Sequence, residues 1–143
     1  MCKIRDLISK AYTRLMESRV THARNCLTGL VAEVLSKVPK THDLTMLGSE
    51  AAIYKKRIVK IKKTLDDLAE DSLISENLRL EVQKIQRAVR PVCIVFNNDL
   101  VDELVEIEKE ENKKHMPYEI RTKLLIIDIA LEQSQNLLLE LDY

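Results

Sequence analysis

The chain has 143 residues, 45% of them hydrophobic and 32% charged, which suits one packed domain and excludes the weakly apolar composition of disorder. Two glycines and three prolines are too few for the frequent turns of a strand-rich domain, so an all-α fold is expected. The formal net charge of zero hides a split: residues 1–67 hold 14 Lys/Arg against 7 Asp/Glu, and residues 68–143 hold 9 against 16, giving +7 followed by −7.

Residues 2–38 carry apolar side chains at helical spacing, first Ile4, Leu7, Ile8, Ala11, Tyr12, Leu15 and Met16, then Val20, Ala23, Cys26, Leu27, Leu30, Val31, Val34 and Val38. At 100° per residue the stripe turns by about 100° between the two sets. One long, bent helix is expected, presenting two faces to two partners. The alternative is a break near residues 18–21, where hydroxyls can cap. The step from Val38 to Pro39 ends the segment, because a residue before proline avoids the α region.

Leu47, Ala51, Tyr54, Ile58, Ile61, Leu65 and Leu68 alternate spacings of four and three, an a/d heptad that predicts a second helix. Thr41 or Ser49 begins it, with Gly48 in its uncertain first turn, and residues 71–75 read as a connector. Leu78, Val82, Ile85, Val89 and Val92 predict a third helix, which Pro91 interrupts. Residues 92–96 read as helix resuming after that proline, and Leu100, Leu104 and Ile107 carry its phase to an acidic end at 106–111.

Pro117 suits the first position of a last helix. Its core stripe is Ile120, Leu124, Ile127, Leu131, Leu138 and Leu141. Leu125, Ile126 and Ile129 lie on the opposite side, so this helix is apolar nearly all round. Such a helix either fills the centre of a bundle or pairs with another molecule. Leu125, Ile126, Ile129 and Leu137 are the expected oligomer contact. The architecture expected is a single domain over residues 1–143, a bundle of four to five mainly antiparallel helices, some long and kinked.

Little in this pattern carries chemistry. His22 and Cys26 share a helical face at i and i+4, as two zinc ligands would, but no second pair accompanies them. His42 and His115 stand alone. No Glu-x-x-His pair for a di-iron bundle is present. With only Gly29 and Gly48, no phosphate-cradling glycine loop is possible. The acidic residues Glu103, Glu106, Glu108, Glu110 and Glu111 surround an apolar stripe as a solvated face does, and lack the glycine-turned cage of a calcium loop. Cys26 and Cys93 fall on core stripes and read as packed rather than nucleophilic. No catalytic residue, metal or cofactor is assigned.

One feature points outward. Lys55, Lys56, Arg57, Lys60, Lys62 and Lys63 crowd about two turns of the second helix, with Lys56, Lys60 and Lys63 opposite its core stripe. Such a face follows a phosphate backbone or an anionic membrane surface, or docks on an acidic helix. The three cysteines cannot all pair, no Asn-X-Ser/Thr acceptor occurs, and no signal or transmembrane segment is seen, which together suit a reducing cytoplasmic setting. The function expected is a non-catalytic protein-interaction module (adaptor, scaffold or regulator) that self-associates or binds another helical protein. The alternatives are nucleic-acid or anionic-membrane binding through the basic run, and a helical enzyme without a recognisable motif.

Overall fold

The computed structural model describes residues 2–37, 48–109 and 118–141. Among them are five α-helices and no strand: α1 (Cys2–Lys37), α2 (Gly48–Glu70), α3 (Glu76–Val95), α4 (Asn98–Lys109) and α5 (Tyr118–Glu140). Pro39, Thr41, His42, Leu47, Glu110, Glu111, His115 and Pro117 fall outside the described residues, as do the side chains of Ile107, Glu108 and Ile120.

The long helices close a ring in which α1 packs on α2, α2 on α3, α3 on α5 and α5 on α1. Hydrogen bonds fix the directions. Moving up α1, Tyr12 meets Asp71, Glu33 meets Arg57 and Lys37 meets Glu50, so α2 runs the opposite way. Between α2 and α3, Arg79 binds the carbonyls of Ala69 and Asp71, and Gln86 Nε2 donates to Asp66 Oδ1 at 2.9 Å, again an antiparallel order. The end of α3 shares a groove with the start of α5 through Ile94, Ile126 and Ile127. Thus α5 runs opposite to α3, and therefore opposite to α1. The short helix α4 packs mainly on α2, and Glu103 ties it to Lys123 of α5 at 2.6 Å.

The heptad positions of α2 (Ala51, Tyr54, Ile58, Ile61, Leu65, Leu68) and of α3 (Leu78, Val82, Ile85, Val89, Val92) are all buried in one continuous core. In α5, Leu124, Ile127, Leu131 and Leu138 join them. Ser134 lies on the same stripe, fully buried, and its hydroxyl has no hydrogen-bond partner among the described residues. Tyr54 supports the end near α4: its ring meets Phe96 edge-on at 6.5 Å, and the cations of Lys37 and Arg57 stand over it at 5.8 and 5.7 Å.

α1 passes through residues 18–21 as one long unbroken helix, as expected, which removes the alternative of a break there. The break expected at Pro91 is placed differently, since α3 passes through that residue. Proline in a helix interior costs about 3 kcal/mol by removing a donor and crowding the turn before it. Around Pro91, however, Ala88, Val89 and Val92 are buried, and a break there would pull them from the core. The helix ends instead at Phe96, whose N–H still bonds the carbonyl of Val92. Asn97 then starts a separate helix by accepting the N–H of Leu100 on its side-chain oxygen at 2.9 Å. Leu100, Val101 and Leu104 of α4 are buried, so the apolar phase continues across a break in the backbone.

The connector of residues 71–75 is closed by short-range bonds. Asp71 Oδ1 accepts the N–H of Leu73 at 2.9 Å, and Ser75 caps α3 by accepting the N–H of Leu78 at 3.2 Å. Burial across α5 sets up a direct comparison of two leucines. Leu131→Ala, at a fully buried position, should cost about 2–5 kcal/mol by urea unfolding, whereas Leu139→Ala on the exposed side should stay within about 0.5 kcal/mol.

Candidate functional site

Three surfaces stand out. The first is the N-terminal part of α1. Residues 3–11 are all exposed, and Ile4, Leu7 and Ile8 are 64%, 66% and 64% exposed. The second half of the same helix is the opposite case, with Val20, Ala23, Leu27, Leu30, Val31 and Val34 buried. The turning stripe therefore has one face in the core and one in solvent. Tyr12 marks the boundary, its hydroxyl donating to the Asp71 carboxylate. Both stripes of α1 are legible in the residue spacing, but their different fates follow only from the shorter helices beside it.

The second surface is the outward face of α5, where Leu125, Ile126 and Ile129 are 57%, 51% and 64% exposed. These three expected contact residues come together on one face. Leu137 does not join them: it is half-buried and packs against the core. At 100° per residue it lies on the flank between face and stripe, which explains its position.

The third surface is the basic run of α2. Lys56, Arg57, Lys60, Lys62 and Lys63 are exposed and Lys55 is half-buried. The six cations do not form one row. Arg57 leans to α1 and pairs with Glu33 at 2.8 Å, while Lys62 pairs with Asp66 at 2.9 Å on the side of α3. Among the described residues, Lys56, Lys60 and Lys63 have no carboxylate partner, and they form the outward part of the face.

The remaining chemical candidates are modest. Cys26 Sγ and His22 Nε2 stand 3.5 Å apart, in a groove between α1 and α2 shared with Arg57, Lys60 and Thr64. No group of three or more metal-ligating side chains forms among the described residues. Burial pushes the Cys93 thiol above its ordinary pKa, which keeps it protonated and poorly nucleophilic. Glu103 and Glu106 line α4, and Glu103 is occupied by Lys123. No helix among the described residues is long and apolar enough to cross a membrane.

No protein-family model matches this chain, and no curated protein or solved structure matches it either.

The Tyr12 to Asp71 bond has a defined pH window. It holds the Asp71 carboxyl below its ordinary pKa and raises the Tyr12 phenol above its own. A depressed carboxyl contributes stability above the unfolded carboxylate range, lost as pH falls through the folded value. A raised phenol contributes below the unfolded tyrosine range, lost as pH rises through its folded value. Tyr12→Phe should therefore lower the urea midpoint at neutral pH, and the gap to the parent protein should close in both strong acid and strong alkali. A gap unchanged in acid would remove Asp71 as the partner.

Proposed function

We propose that this protein is a non-catalytic helical interaction module that associates with itself through the outward face of α5. The observation that carries this reading is the exposure of Leu125, Ile126 and Ile129 side by side on a helix whose other side is fully packed. Contiguous exposed apolar groups are costly in water and mark contact surfaces when they cluster. The charge split supports the same reading. Lys37 with Glu50, Arg57 with Glu33, and Lys62 with Asp66 pair inside the basic half, while Arg79 with Glu76 and Lys123 with Glu103 pair inside the acidic half. None of these five pairs joins one half to the other, and the outward cations Lys56, Lys60 and Lys63 have no carboxylate partner among the described residues.

The test is the solution mass from light scattering at tens of micromolar protein. The parent chain should be larger than a monomer, and Ile129→Asp should be monomeric while keeping its helical circular dichroism. A parent chain that is monomeric at every concentration would overturn the reading.

A second reading rests on Lys56, Lys60 and Lys63, which project together without carboxylate partners among the described residues. They suit the phosphates of a nucleic acid, contacted along the backbone rather than at the bases, since the chain has one Phe and no Trp for stacking. Reversing all three to Glu should abolish binding to a mixed-sequence RNA. For the parent chain, log K should fall by about 0.7 per phosphate contact for each unit of log salt on a single strand. Binding that survives the triple reversal would exclude this face.

A further inference from the structure

Among the described residues, the exposed stripe of α1 and the exposed face of α5 have no partner within one copy, yet they complement each other. Between residues 3 and 15 the chain carries four bases, Lys3, Arg5, Lys10 and Arg14, against the single acid Asp6. At 100° per residue, Lys3, Lys10 and Arg14 line up along one edge of the stripe formed by Ile4, Leu7, Ile8 and Leu15, on the side of Leu7. On α5, exposed Glu132 lies along one edge of the face formed by Leu125, Ile126 and Ile129, and half-buried Asp128 continues that edge toward the core. We propose that the projecting turns of α1 dock on the outward face of α5 of a second copy, with the two helices antiparallel. The proposal deepens the self-association reading above and rests on it.

The orientation follows from the edges. Viewed from each helix's N-terminus, the basic edge of α1 and the acidic edge of α5 lie on the same side of their apolar faces. Two helices packed face to face bring same-side edges together only when they run antiparallel; parallel helices bring opposite edges together. In the antiparallel arrangement Lys3, Lys10 and Arg14 stand on the side of Glu132, with Asp128 behind it, while Ile4, Leu7, Ile8 and Leu15 cover Leu125, Ile126 and Ile129. In the parallel arrangement Arg5 alone faces the acids.

This orientation also sets the symmetry. Within one copy α1 already runs opposite to α5. An α1 that lies antiparallel to the α5 of a neighbour therefore belongs to a copy pointing the same way as that neighbour. The contact joins two different surfaces of copies that point the same way, so it closes as a reciprocal pair about a two-fold axis parallel to the helices, each α1 on the other copy's α5, or repeats into a larger ring or chain.

The experiment uses two single variants of the full chain, Ile8→Asp on α1 and Ile129→Asp on α5, each at an exposed position where folding should be undisturbed. The parent mass should be that of a dimer or larger, and each variant alone should be monomeric. An equimolar mixture should form a heterodimer and nothing larger, because only the α1 of the Ile129→Asp chain and the α5 of the Ile8→Asp chain remain competent. Lys10→Glu should weaken association roughly five-fold, and adding Glu132→Lys should restore it. If Ile8→Asp keeps the parent mass while Ile129→Asp is monomeric, the α5 faces pair with each other: self-association stands and the α1 contact is wrong. A mixture that stays monomeric overturns the contact between α1 and α5. A parent chain that is always monomeric overturns both this proposal and the reading beneath it.

Discussion

A helix rises 1.5 Å per residue, and that constraint shapes everything else in this molecule. The 36 residues of α1 span about 54 Å, whereas α2 and α5, with 23 residues each, span about 35 Å. A bundle built on those helices can cover only part of α1. The covered part is the C-terminal portion, from Met16 to Val34, and the remainder stands beyond the core with its apolar residues in water. Among the described residues the ring is closed by α1, α2, α3 and α5, and no helix covers Ile4, Leu7 and Ile8.

The bundle stops at Asp71. Its backbone carbonyl accepts the Arg79 guanidinium at 2.7 Å, one carboxylate oxygen holds the N–H of Leu73, and the other receives the Tyr12 hydroxyl. One aspartate thus joins the end of α2, the connector to α3 and the point where α1 leaves the core. Its depressed pKa is the electrostatic record of those contacts. A similar economy holds the opposite end, where Tyr54 gathers Phe96, Lys37 and Arg57 around its ring and Glu33 neutralises Arg57.

Much of the architecture was legible from spacing. The 4-3 alternation of Ala51, Tyr54, Ile58, Ile61, Leu65 and Leu68 can place all six side chains on one side only in a helix, and all six are buried. The connector at 71–75 was visible because no apolar period crosses it. The interruption expected at Pro91 was misplaced, because proline's local cost competes with the burial of Ala88, Val89 and Val92, and the size of that burial depends on α5 and α2. The true break at Phe96 and Asn97 left a faint trace: an Asn three residues before Leu100 is a capping arrangement, masked by the apolar phase that runs through it.

The candidate surfaces divide in the same way. Residue order alone gives α1 two apolar directions, α5 apolar groups on opposite sides and α2 a dense positive run, because helical periodicity converts residue order directly into direction around an axis. It does not say which direction of each helix meets a neighbour. Packing turns Leu137 inward while Leu125, Ile126 and Ile129 face out, draws Arg57 and Lys62 to acids on either flank, and leaves the first turns of α1 beyond the bundle. Those outcomes depend on the relative lengths of helices far apart in the chain and on the closure of the ring. They are properties of the packed whole, which no local spacing encodes.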